Sequence, residues 1–194
     1  MSGQRLRAVL PVVMALVLGA GLVLVSYGAW ARPMREGAEA VRHGDLRVSL
    51  GRFKAAEERF DRLPLAKELF PNDYAAVLAN QAWLLYQLGD LDATIERAAA
   101  DPSGRVRFWA GCALFTKARN EEKPENQLAW LTRAQQEFRQ ALESSPEDWD
   151  AKFNYELAGR LAAQLRTAPK REPSTILKLL RPQKESRPDA RRIG

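Results

Sequence analysis

The chain has 194 residues, 46% apolar and 28% charged, enough for one folded domain with its own core and for further segments. Its formal net charge of +6 sits at the two ends: two arginines precede residue 8, and the residues after 166 hold eight Lys or Arg against three acids. The stretch between is close to neutral, which argues against a nucleic-acid-binding domain, since that would carry a basic face. One cysteine, Cys112, and one histidine, His43, exclude an intramolecular disulfide and a Cys/His zinc cluster.

Residues 8–27 carry no charge (AVLPVVMALVLGAGLVLVSY). As a helix, twenty residues span roughly 30 Å, the thickness of a hydrocarbon core. Arg5 and Arg7 precede the run, and Tyr27 and Trp30 stand at its far end as interfacial anchors do. The pattern predicts a transmembrane helix over 8–30, with residues 1–7 cytoplasmic and the rest outside, in the periplasm. A cleaved signal peptide is the alternative, since Ala29-Trp30-Ala31 fits a small-x-small cleavage site. The apolar run exceeds the roughly 7–15 residues of a signal peptide, which favours an uncleaved anchor.

Residues 31–48 read as a polar juxtamembrane helix or linker, and a helical domain is expected over 49–166. In its first part Gly51 stands two residues before Phe53, where a tight turn between paired helices is expected. Ala56 and Phe60 follow at helical spacing, and Pro64 and Pro71 mark breaks. A helix is expected from Asn72, as its cap, to Leu88, with Ala75, Val77, Leu78, Ala82, Leu85 and Leu88 inward. Gly89-Asp90 makes a second turn before a short helix that ends by Pro102. Gly51 and Gly89, and equally Ala56 and Thr94, are spaced alike, so a repeat of 34–40 residues is expected.

Val106 to Ala118 (VRFWAGCALFTKA) is apolar enough to be central, and a solvated acidic loop with Glu121, Glu122 and Glu125 follows. Gln127 to Glu143 places Ala134, Phe138 and Ala141 at i, i+4 and i+7, on one helix face. Small residues there let a partner helix come close while the aromatic fills the gap beyond. Pro146 ends that helix, and Asp148 to Gln164 forms a last, capping helix with Phe153, Leu157, Leu161 and Ala162 inward. Residues 167–194, with four prolines, read as a disordered basic tail suited to acidic lipid or an acidic partner. The fold class expected is therefore all-α: an N-terminal span, about three antiparallel hairpins and a capping helix.

The Ala-x3-Phe-x2-Ala pattern closed by proline resembles the second helix of tetratricopeptide repeats, and the likeness covers the hairpins between about 49 and 166. The segment WDAKFNYEL (149–157) is similar to the closing helix of membrane-anchored repeat proteins encoded beside MoxR-type ATPases and von Willebrand A-domain proteins. With the N-terminal span, PNDYAAVLANQAWLLYQLGDLDATIE and FWAGCALFTKA, the chain resembles the MxaK family of bacterial methanol dehydrogenase operons. That resemblance implies help in maturing periplasmic methanol dehydrogenase, with supply of its calcium as one form of that help, and with that enzyme or the MoxR and von Willebrand A-type proteins as partners. It implies no catalytic motif. A generic envelope scaffold of the same fold is the alternative.

Asn80 and Asn154 sit on first helices, where such repeats place ligand contacts, although capping or plain exposure is the commoner role. Trp83, Trp109, Trp130 and Trp149 are either core residues or anchors for a partner. The residues singled out for partner binding are Asn80, Trp109, Trp149 and Asn154. Cys112 reads as a buried, inert thiol, His43 as a surface residue, and the acidic loop lacks the spacing of a calcium hand. No catalytic residue, cofactor or metal ligand is assigned.

Overall fold

The structure, a computed structural model, describes residues 2–100 and 103–167, with side chains from residue 10 onward except those at 26, 29 and 30. The basic tail expected after 167 lies outside the described residues. Every described element is an α-helix: α1 (Ser2–Arg42), α2 (Leu46–Arg62), α3 (Pro64–Leu69), α4 (Pro71–Gln87), α5 (Leu91–Ala100), α6 (Gly104–Asn120), α7 (Pro124–Ser144) and α8 (Trp149–Thr167).

α1 is 41 residues long, about 60 Å at helical rise. Its side chains from Leu10 to Val25 are exposed all round. Among the described residues no helix is long and apolar enough to cross a membrane.

The last turns of α1 belong to the bundle. Pro33, Gly37 and Ala40 are buried at i, i+4 and i+7, so residues 31–42, helical as the juxtamembrane reading has them, pack as the first arm of the first hairpin, and residues 46–48 already belong to α2. The reversal falls at Gly44, not at Gly51. Gly44 has φ +80°, its N–H donates to the Val41 carbonyl, and the Asp45 N–H donates to the Ala40 carbonyl. That pair of bonds is a Schellman cap, which needs a left-handed residue and so favours glycine. Gly89 repeats it: φ is +78°, with bonds from Gly89 to Tyr86 and from Asp90 to Leu85. Gly51 lies inside α2, exposed, with open space around it.

The repeat is therefore carried by the tripeptide Gly-Asp-Leu at 44–46 and again at 89–91. Its register pairs Thr94 with Ser49 and not with Ala56. Both are fully buried, and both N–H groups donate to the aspartate that opens their helix, Ser49 to Asp45 and Thr94 to Asp90. Gln127 holds the same place on α7, its N–H donating to the Lys123 carbonyl. The prolines act as helix starts: Pro64, Pro71 and Pro124 each occupy a first turn, where a missing N–H costs nothing. Pro71 rather than Asn72 thus opens α4.

The first and third hairpins each close by setting a small residue under an aromatic. Phe53 of α2 lies over Gly37 of α1, and Ser49 Oγ donates to the Gly37 carbonyl at 2.8 Å. In the third hairpin Phe138 of α7 lies over Gly111 of α6, with Ala134 and Ala141 fully or nearly fully buried beside it. α7 then packs on α8, and α4 joins the first hairpin to α5 and α6. The buried side chains form three neighbouring clusters, in α2–α4, in α4–α6 and in α6–α8. Between the first two, Gln81 of α4 donates to the Phe53 carbonyl (3.2 Å) and to Glu57 (2.9 Å), while Arg97 of α5 reaches Glu57 at 2.5 Å. On α8, Leu161 and Ala162 are buried against α7, but Phe153 is exposed among the described residues.

Two glycines should respond oppositely to alanine. A Cβ on Gly111 would lie 2.6 Å from Cε1 of Phe138, itself fully buried and 5.9 Å from the Phe108 ring. Overpacking of that kind costs about 1–3 kcal/mol, set against a helix-propensity gain of about 1 kcal/mol. Gly51→Ala meets nothing and keeps the gain of about 0.5–1 kcal/mol. Thermal unfolding of the full chain is expected to show a higher Tm for Gly51→Ala and a lower one for Gly111→Ala. A fall for Gly51→Ala would restore the turn at 51.

Candidate functional site

The first helices of the hairpins line one side of the bundle and leave a cavity of about 710 Å³ along it. Val41 of α1, Ala76, Asn80 and Trp83 of α4, and Arg105 and Trp109 of α6 form its walls. Small residues make the groove: Ala75, Ala76 and Ala79 keep the α4 wall low, and Trp83 and Trp109 stand at its sides. The Trp109 ring is held by Tyr86, with centroids 5.5 Å apart, and by Phe108 edge-on at 5.1 Å. Its position is thus set before anything binds, which lowers the entropy cost of using it as an anchor.

A second, more polar cavity of about 380 Å³ follows at the start of α8, walled by Glu147, Asp148, Trp149 and Asp150. Arg105 belongs to both cavities. Its Nη1 lies 3.0 Å from Oδ2 of Asp148, and its guanidinium is more than half exposed. The Arg105 side of the pair faces solvent, while Asp148 is mostly covered and the guanidinium lies 5.7 Å from the Phe108 ring centre, so the arginine is held at the groove with its open side available to a partner's carboxylate. Trp149 is 74% exposed, with the Lys152 ammonium 4.7 Å from its ring centre.

Of the residues singled out for partner binding, Asn80 and Trp109 therefore meet in the groove and Trp149 stands at its continuation. Asn80 Nδ2 donates to the Ala76 carbonyl at 2.8 Å, so the side chain offers the groove its carbonyl oxygen. Asn154 lines neither cavity; its Nδ2 donates back to the Asp150 carbonyl at 2.7 Å, which makes it a helix-surface residue. Trp83, Trp109 and Trp130 are half-buried and pack against the core clusters, whereas Trp149 is exposed. Arg105 escapes sequence reading because, with Arg107, it looks like the solvated face of the first turn of α6. Only its place between two cavities marks it.

The remaining titratable candidates have local roles. Among the described residues no group of three or more His, Cys, Asp and Glu is arranged to hold a metal ion. Glu121 accepts from the Lys123 N–H, from Asn126 Nδ2 and from the Glu122 N–H, and those bonds, the Lys123 one foremost, hold its carboxyl below the usual range. The loop is thus tied to itself. His43 is exposed in the turn that ends α1. No family model matches the chain, and no curated protein and no solved structure matches it either.

Burial, and next the carboxylates of Asp150 and Asp148, push the Cys112 thiol up to about 12 from an ordinary 9.0. The folded chain thus keeps a proton that the unfolded chain releases between those values, and stability falls as pH rises through that window. The slope is up to about 1.4 kcal/mol per pH unit. Urea titrations at pH 8 and pH 10 are expected to show a smaller loss for Cys112→Ala than for the parent. Native protein should also react with a disulfide reagent far more slowly than unfolded protein; equal rates would mean an accessible thiolate.

Proposed function

We propose that this chain is a membrane-anchored, tetratricopeptide-like interaction module of the bacterial inner membrane, with its helical domain in the periplasm. The observation that carries the reading is the groove of Asn80, Trp83, Arg105 and Trp109 along the first helices, continued by Trp149. Its chemistry suits a protein segment that brings an apolar side chain to the two tryptophans and a carboxylate to Arg105. The anchor reading is supported by the exposed apolar side chains of α1 and by the sequence, which runs without charge from Ala8 to Ala31. A helix apolar on every face has no stable place in water. Held at the membrane, the groove meets its partner at raised effective concentration, so modest affinity suffices.

The resemblance to the MxaK family directs the module to maturation of periplasmic methanol dehydrogenase, including its calcium supply. Partners are then that enzyme or the MoxR and von Willebrand A-type proteins. A photo-crosslinking residue in place of Trp109, used in intact methanol-grown cells, is expected to capture one of these. Trp149→Ala and Arg105→Ala should each weaken capture, with losses of about 2 kcal/mol, or roughly thirtyfold, if they are hot spots. Capture of other envelope proteins only, with normal growth on methanol in the deletion strain, would favour a general envelope scaffold instead.

Topology is open to a separate measurement. A phosphatase fused after Thr167 is expected to be active, and a cytoplasmic reporter at the same point silent. The reverse pattern would place the domain in the cytoplasm.

A further inference from the structure

α2 runs back along α1, and its register fixes which residues lie beside the end of the apolar segment. Ser49 and Phe53 pair with Gly37, so the C-terminal end of α2, two to three turns further on, comes level with Tyr27 and Gly28. Two other contacts agree. The Phe70 ring, between α3 and α4, lies 5.6 Å from the Tyr27 ring, and Asp73 of α4 shares a crevice with Tyr27, Gly28 and Ala31. The α2–α3–α4 corner thus sits at the point where the uncharged half of α1 gives way to the bundle.

That corner is the place outside α1 where large aliphatic side chains cluster in the open. Leu63, Leu65 and Leu69 are 43%, 65% and 54% exposed within one short segment. The other face of α3 is closed: Ala66 is buried, and Lys67 pairs with Asp61 at 2.5 Å and lies over the Tyr74 ring at 4.5 Å. Pro64 and Pro71 bound the helix, so the leucines are presented on a fixed corner and not on a swinging loop. Arg59 and Arg62 are exposed nearby, against Asp61 and Glu68, so charge is near balance and the apolar side chains set the affinity.

We propose that this corner rests in the bilayer interface as a second membrane contact, with Leu63, Leu65 and Leu69 lowered among the acyl-chain ends beside the anchor. The inference rests on the anchor reading, since the bilayer enters only through the apolar half of α1. A surface of exposed leucines with flanking arginines is the kind that lies in the headgroup region. Tethering brings it there without any affinity of its own being needed. With one helix and one corner both fixed at the membrane, the groove would be held at one tilt.

The test uses the full chain with Cys112→Ala, reconstituted in vesicles of phosphatidylethanolamine and phosphatidylglycerol. A bimane label is placed in turn at Leu65→Cys, Leu69→Cys, Val48→Cys and Val17→Cys, and quenching by lipids brominated near the headgroup or at mid-chain is read. Val48 is the control: it is 55% exposed, but lies near the opposite end of α2, roughly 20 Å from Arg62. The expected result is quenching of the Leu65 and Leu69 labels by headgroup-proximal bromine, quenching of Val17 by mid-chain bromine, and neither at Val48. Leu65 and Leu69 labels quenched no more than Val48, with Val17 quenched, would overturn the corner contact and leave the anchor standing. An unquenched Val17 label would overturn both. Two label sites on α3 guard against one variant that fails to fold.

Discussion

The bundle depends on how closely two helices can approach when one offers no side chain. At Gly37 and at Gly111 an aromatic ring occupies the space where a Cβ would stand, at 2.9 Å and 2.6 Å respectively. Phe53 and Phe138 are buried by that approach, and the alanines beside them, Ala56 and Ala134, are buried completely. The same contact at both ends of the array sets the spacing of the outer hairpins. α4, α5 and α6 are then drawn together between them around Leu78, Ala82, Val106 and Ala110. The low wall of the groove has a related cause, since Ala75, Ala76 and Ala79 project little from α4.

Polar groups in the interior fix register where apolar packing alone would tolerate a slip. Ser49, Thr94 and Gln127 occupy the same place at the start of their helices, and each side chain bonds a nearby backbone carbonyl: Gly37, Asp90 and Glu121 respectively. The Ser49 bond crosses from α2 to α1, so sliding α2 by one residue would bury its hydroxyl without a partner, at a cost of about 1–3 kcal/mol, whereas the Thr94 and Gln127 bonds are local and fix the starts of their own helices. Gln81, bonded to both Phe53 and Glu57, performs the same service between hairpins.

Much of this is legible in the residues. Ala134, Phe138 and Ala141 carry a strong helical period, and the pairing of α6 with α7 follows from it. The first arm of the first hairpin is not legible, because its buried face consists of Pro33, Gly37 and Ala40, among Arg32, Arg35, Glu36, Glu39 and Arg42. A face made of small residues has no hydrophobic signal, and the charges suggest a linker. Gly51 competes with Gly44 for the turn because it stands before an aromatic. The Gly-Asp-Leu tripeptide, present at both real turns, is the better marker. Phe153 has the right period to face inward, but the period alone does not say whether a neighbouring helix covers that face. Of the candidate site, the tryptophans and Asn80 can be named from sequence, whereas Arg105 acquires meaning only from the two cavities it separates.

α1 passes from its apolar half into the first hairpin without interruption, through Pro33. No swivel therefore intervenes between the apolar half and the groove. Each residue of helix rotates the chain beyond it by about 100° and advances it by about 1.5 Å. The number of residues between Tyr27 and Pro33 thus dictates the direction in which Trp109 looks relative to the apolar half of α1. Adding a single amino acid there would part Tyr27 from Phe70, keep the hairpin packing from Pro33 onward, and turn the binding face to a new bearing about the axis of α1. Along that short connection, chain length itself carries information that no individual side chain does.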